Sequence, residues 1–183
     1  MFEAEKILKA LYQTDQCMKW EGDKVELLLI GGAAAILSGL LPQERVTQDC
    51  DVMDYTPSDA NDAIVEAAAK AAEKEGLPEN WLSFQAMGLD VLPDGWRVRR
   101  QLICEFDKIK IYAASRIDLI AMKFYANRPQ DREDILNMRP TKDELSYIEK
   151  YLNMLKLPKR KADLDQIVDA LRLVSVMRDI DFE

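Results

Sequence analysis

The stretch that most constrains this chain lies between residues 25 and 54, where a largely apolar run stops on Gly31-Gly32, an alanine-rich segment follows, and Asp49-Cys50-Asp51 opens a second apolar run. A short apolar run bounded by breakers predicts a buried strand over 25–30. Two glycines at its end let the chain turn tightly or let another molecule approach the backbone. Residues 33–41 then predict a short helix closed by Pro42, and a loop leads to a second strand over 50–54, broken at Thr56-Pro57.

The spacing of the two aspartates carries chemistry. Side chains two apart on a strand project to one face, so the spacing lets Asp49 and Asp51 converge on a single ion. Neighbouring carboxylates repel unless a cation or proton intervenes, and hard oxygen donors suit Mg2+ bridging to phosphate. Gly31 and Gly32 at the head of a helix place bare backbone N–H groups against such a phosphate. Each part alone is commonplace: among 33 acidic residues a D-x-D pair reads equally well as surface, and Gly-Gly as a turn. Their order along the chain is the more specific signal, and it resembles a phosphoryl-transfer site.

Composition narrows the rest. The chain of 183 residues has no histidine, which excludes Ser-His-Asp and Cys-His catalysis and histidine metal sites. Cys17, Cys50 and Cys104 are scattered, so neither a disulfide framework nor a zinc cage is expected. A net charge of −8 disfavours bulk binding to nucleic acid or anionic membrane. No apolar run is long enough to span a bilayer and the first residues lack a signal-peptide core, so the expected location is the cytoplasm.

Elsewhere, residues 2–20 predict a helix, and Ser58 is placed to cap an alanine-rich helix ending at Glu75 before Gly76. Residues 80–92 fit neither period. Residues 96–106 and 109–112, joined at Asp107-Lys108, predict a hairpin, and 116–126 a helix. Further helices are expected over 131–137, 141–155 and 161–177, with a capping box at Thr141 and Glu144. The expected fold class is α+β: a small mixed sheet flanked by helices in residues 1–114, with a helical portion over 115–183 packed on it.

Two blocks carry a family resemblance. Gly31-Gly32-Ala33-Ala34 followed by Arg45-Val46-Thr47-Gln48-Asp49-Cys50-Asp51-Val52 resembles the nucleotidyltransferase superfamily typified by DNA polymerase β, in particular its small bacterial members with a GG-x-A … R-x-T-x-D-x-D pattern. Lys123 within Arg116-Ile117-Asp118-Leu119-Ile120-Ala121-Met122-Lys123, followed by Arg128, Asp131 and Asp134, is similar to that family's helical element. The resemblance covers about residues 25–137. It implies that Gly31 and Gly32 approach a triphosphate, that Asp49 and Asp51 hold Mg2+, and that Arg45 and Thr47 support the loop beside them. Ser38, the nearest hydroxyl after the glycines, and Lys123 join the nucleotide-binding set, with Asp131 and Asp134 orienting Lys123 or Arg128. The implied reaction transfers a nucleoside monophosphate from a nucleoside triphosphate to an acceptor hydroxyl. Family members also use a third carboxylate, for which Glu105, Asp107 and Asp90 are the candidates here.

The acceptor, RNA, protein or small molecule, stays open, as does the oligomeric state; some similar proteins belong to toxin–antitoxin systems. Two other readings stand beside the enzyme. One is a catalytically silent nucleotide- or protein-binding regulatory module of the same fold. The other is a nucleic-acid-binding module using Arg97, Arg99, Arg100, Lys108 and Lys110, whose charges equally suit the solvent face of a sheet. Cys50, between the aspartates, is expected to point away from them into the core, and Trp20, Trp81 and Trp96 to pack rather than stack on a base.

Overall fold

Strand β1 (Val25–Ile30) forms the middle of a five-stranded sheet in the computed structural model, which describes residues 1–89, 91–154, 169, 173 and 176. Its alternation puts Val25, Leu27 and Leu29 on one wholly buried face. It pairs antiparallel with β2 (Cys50–Thr56) and parallel with β5 (Ile109–Ala113), while β3 (Leu82–Ser83) and β4 (Gln101–Glu105) form the edges, in the order β3-β2-β1-β5-β4. Cys50, Val52, Ile109, Ile111 and Ala113 extend the same buried face. Burying each large aliphatic side chain of this kind stabilises the fold by about 1.5–3 kcal/mol.

The pairing of β1 with β2 slips once. Leu29 stands opposite Val52 and Leu28 opposite Asp54, so Met53 is an extra residue in a β-bulge. Beyond the bulge the side-chain alternation is reset. Asp51, Asp54 and Thr56 therefore share the face of their partners Ile30, Leu28 and Glu26, opposite the apolar one.

Two units divide the chain: residues 1–89 with 97–115, and, of the described residues, 91–96 with those from 116 onward. In the first unit, helices α1 (Ala4–Cys17) and α3 (Asn61–Glu75) pack on each other, α3 presenting Ala67, Ala68, Ala71 and Ala72, whose small side chains allow close approach. Gly76 ends α3 in the left-handed region at φ +61°, where glycine alone avoids strain. The fully buried Asp15 accepts hydrogen bonds from the Lys108 and Ile109 amides at 2.7 and 3.0 Å, latching α1 to the β4–β5 turn.

Among the described residues the second unit holds helices α5 (Arg116–Ala126), α6 (Pro129–Met138) and α7 (Lys142–Met154), around Leu119, Ile120, Phe124, Ile135, Leu145 and Ile148. Thr141 and Glu144 form the expected capping box, at 2.7 and 3.1 Å. Arg116 donates to the last carbonyls of α6, Met138 at 2.6 Å and Arg139 at 3.2 Å, and its other nitrogen meets Glu144 at 2.8 Å. A cation there satisfies carbonyls that have no partner within the helix. The Tyr151 hydroxyl donates to the Val91 carbonyl.

The chain is thus α+β, as expected, with several local differences. The helix after β1, α2 (Gly31–Leu37), starts on the glycines themselves and stops four residues short of Leu41. Ser58 makes no capping bond, because a 3-10 turn over Ser58–Ala60 precedes α3. Residues expected to begin a strand at 96 instead form a helical turn, α4 (Trp96–Arg99), and pairing starts only at Gln101. Of the expected helix over 161–177 only residues 169, 173 and 176 are described, each of them helical; the break before it lies outside the described residues, as does Asp90. Among the described residues no helix is long and apolar enough to cross a membrane.

Candidate active site

Where β1 becomes α2 the chain turns at Gly31 with φ +69°, and a side chain there would be strained whatever the space around it. Space is also short. A Cβ on Gly31 would lie 3.0 Å from Asp51 Oδ2, and one on Gly32 would lie 3.0 Å from Thr47 Oγ1. The two glycines are therefore the surface against which the acidic loop closes. Where the sequence suggested bare backbone open to phosphate, the Asp51 carboxylate and the Thr47 hydroxyl are the immediate neighbours.

The loop is held from both sides. Thr47 exchanges backbone hydrogen bonds with Phe2, at 2.7 and 3.1 Å, and its hydroxyl donates to the Asp49 carbonyl at 3.1 Å, curling the chain just before the acid pair. The Arg45 guanidinium donates to the Val46 carbonyl, so it braces the same loop. Asp51 then enters β2 opposite Ile30 and beside Ser83 of β3. Asp49 and Asp51 are both half-buried. Cys50 between them is fully buried, and burial first, then the charges of Asp51 and Asp49, push its thiol far up, so it stays protonated and inert.

Other candidates fall elsewhere. The Ser38 hydroxyl, at the C-terminal end of α2, donates back to the Ala34 carbonyl at 2.7 Å, so it is engaged by its own helix at the end away from the glycines. Glu105 stands opposite Lys110, which lies beside Glu26 at the start of β1, whereas Asp51 is opposite Ile30 at its end. Three strand spacings and four residues separate the two carboxylates, roughly 20 Å at about 4.8 Å per strand and 3.3 Å per residue. Glu105 is bound to Lys24 at 2.7 Å, and that bond holds its carboxyl below the ordinary value. Asp107 follows in the β4–β5 turn, highly exposed. Glu105 thus stands far from the acid pair and Asp107 follows it in the turn, whereas the sequence left open that any of the three candidates, or none, would serve; Asp90 is not described. Among the described residues no group of three or more acidic or cysteine side chains is placed to hold a metal ion.

In the second unit Lys123 is 5% exposed, and its ammonium lies 3.2 Å from Asp131 and 2.6 Å from Asp134. Asp131 also receives Arg128 Nε at 2.7 Å. Burial opposes the charged form of Asp131, but Arg128 and Lys123 together outweigh it and hold the carboxyl below its ordinary value. The contact expected from sequence between these aspartates and Lys123 or Arg128 is present.

The basic hairpin is not a free cationic strip. Arg97 pairs with Asp54 at 2.8 Å, Arg100 with Glu26 at 2.6 Å, and Lys110 and Lys108 lie 4.0 and 3.8 Å from Glu105 and Asp107. Trp81 is buried and donates to the Ala68 carbonyl at 3.0 Å, and Trp20 donates to the Asp23 carbonyl at 2.8 Å. Sequence reasoning passed over Glu26 and Asp54, although a glutamate inside an otherwise apolar strand was a signal that one face of that strand is polar.

A mixed sheet in which Asp51 closes against a glycine at a strand-to-helix turn is consistent with the nucleotidyltransferase-like class. A family model described as "Nucleotidyltransferase of unknown function (DUF6036)" matches residues 6–143, and the chain belongs to that family. No curated protein and no solved structure matches the chain significantly.

Proposed function

We propose that this chain is a Mg2+-dependent nucleotidyltransferase acting on a nucleoside triphosphate. The observation that carries the reading is the closure of the Asp51 carboxylate against the Gly31 turn, in a member of a nucleotidyltransferase family. Two carboxylates are the donor type and number that Mg2+ takes from protein when phosphate oxygens and water complete its octahedron, so Asp49 and Asp51 fit the ion. Bound there, Mg2+ supplies positive charge that offsets the triphosphate and draws electrons from the α-phosphorus.

The chain's own residues do the rest. The bare backbone of Gly31 and Gly32 lets the Asp51 carboxylate and the Thr47 hydroxyl lie directly against the turn, and Arg45 and Thr47 hold the loop. Lys123, to which the family resemblance gave a phosphate role, is held within its own unit by Asp131 and Asp134. An acceptor hydroxyl oxygen, of RNA, protein or a small molecule, forms a bond to the α-phosphorus. The bond from that phosphorus to the β-bridging oxygen breaks, pyrophosphate leaves, and the hydroxyl proton passes to solvent or to a nearby carboxylate. A second reading, a silent nucleotide-binding module, is favoured by the lack of a third carboxylate beside the pair among the described residues.

Calorimetric titration of each nucleoside triphosphate, with and without Mg2+, tests the site in the wild type and in the Asp49→Asn/Asp51→Asn double variant. Mg2+-dependent binding that the double substitution abolishes is expected. A folded wild type that binds no triphosphate would sink both readings, whereas binding without transfer to any acceptor would favour the silent module.

A further inference from the structure

Three residues beyond Asp51 on β2, on the same sheet face, lies a cavity of about 250 Å³ lined by Glu26, Leu28, Asp54, Thr56, Arg97 and Arg100. Asp54 is displaced from Asp51 by two β1 positions and Glu26 by four, about 7 and 13 Å along the strand. That is the span between the phosphates of a nucleotide and its base. The volume falls below the roughly 300–1,000 Å³ that holds a drug-sized ligand, and suits a single planar ring system.

The lining has a specific chemistry. Leu28 forms an apolar floor, while Glu26 and Asp54 supply carboxylate acceptors and Arg97 and Arg100 supply guanidinium donors. Each acid is paired with an arginine, at 2.6 Å for Glu26–Arg100 and 2.8 Å for Asp54–Arg97, which fixes donors beside acceptors. The Arg100 guanidinium lies 3.7 Å over the Tyr112 ring, making a flat, cationic wall of the kind on which bases stack. Among the bases, guanine alone offers two adjacent N–H donors, N1–H and the N2 amine, together with two acceptors, O6 and N7. Carboxylates bind the first edge bidentately and guanidiniums the second. Adenine and cytosine set a single amine beside a ring acceptor, and uracil flanks its one N–H with carbonyl oxygens, so none of the three presents two adjacent donors to a carboxylate.

We propose that this cavity is a nucleobase site selective for guanine, so that the donor nucleotide is GTP; the proposal takes its triphosphate from the assignment of Asp49 and Asp51 above. The test uses the full chain. GTP, ATP, CTP and UTP are titrated with Mg2+, and guanosine and adenosine without metal, into the wild type, Glu26→Gln and Asp54→Asn. GTP is expected to bind at least about tenfold tighter than ATP, because a site built to receive N–H donors rejects a base that lacks them. Each substitution should bring GTP down to the affinity of ATP and leave ATP unchanged. Should a variant fail to fold, the wild-type comparison of guanosine with adenosine still decides. Equal affinity for all four triphosphates and for both nucleosides overturns the guanine site, and leaves the nucleotidyltransferase reading standing if that binding needs Asp51. Guanosine preferred over adenosine, with no triphosphate bound, upholds the base site and overturns the assignment of the acid pair. No binding of any ligand overturns both.

Discussion

At the scale of single residues, Gly31 and Lys123 show the two ways in which this chain gives up substitutability. Gly31 sits at positive φ with the Asp51 carboxylate where a Cβ would go, so Gly31→Ala combines left-handed strain with a steric push on the acid. The strain costs about 1–2 kcal/mol. Under the proposed assignment of Asp51 to Mg2+, the push displaces that carboxylate, and Mg2+-dependent nucleotide affinity should fall further than that loss of stability explains, which parallel urea unfolding and calorimetry would show. Lys123 is committed to two buried aspartates. Lys123→Met removes the ammonium shared by the two and leaves Arg128 on Asp131 alone, and removing one partner of a buried pair costs about 3–5 kcal/mol. Urea unfolding of that variant would measure the loss; a change below 1 kcal/mol would mean that the pair is not buried in solution as it is here.

Elements defined by local pattern were legible in the sequence, and those defined by a distant partner were not. Strand β1 and helix α5 fall on the expected residues, because apolar runs bounded by glycine, proline or polar breakers need no outside information. Residues 96–99 alternate basic and apolar side chains as an exposed strand does, yet they coil, since Arg97 and Arg100 answer to Asp54 and Glu26, which lie 43 and 74 positions away. Nothing local in the sequence encodes those pairs. The D-x-D and Gly-Gly motifs were legible for the same reason as β1, while their contact, and the remoteness of Glu105 from it, depend on strand order. The β4–β5 turn depends on a distant group too. Asp15→Ala would strip two amides of their acceptor, at about 1–3 kcal/mol, and hydrogen exchange at Lys108 and Ile109 should quicken relative to the rest of the sheet.

For the whole molecule, the absence of histidine sets the shape of stability against pH. With the Cys50 thiol pushed up and no imidazole present, the melting temperature should be flat between about pH 5.5 and 7, where no ordinary side chain titrates. Loss begins in acid. Asp131 and Glu144 are each held below their ordinary values, burial being outweighed by Arg128 and Lys123 in one case and by Arg116 and Thr141 in the other. A lowered native value means stability that is full above the unfolded value of about 4 and drains away as pH falls through the native one. Acid titration followed by circular dichroism should therefore show the advantage of the wild type over Asp131→Asn shrinking below pH 4. The bulge at Met53 acts on a different variable, the phase of the strand. Strict two-residue alternation would send Asp51 and Asp54 to opposite sides of the sheet, one to the polar face and one into the apolar layer. A single surplus residue works as a half-period delay that brings both acids back into step: drawing Met53 into regular pairing would send Asp54 and Thr56 to the apolar layer, whereas deleting Met53 would leave an unbroken strand with Asp51, Asp54 and Thr56 still on the polar face.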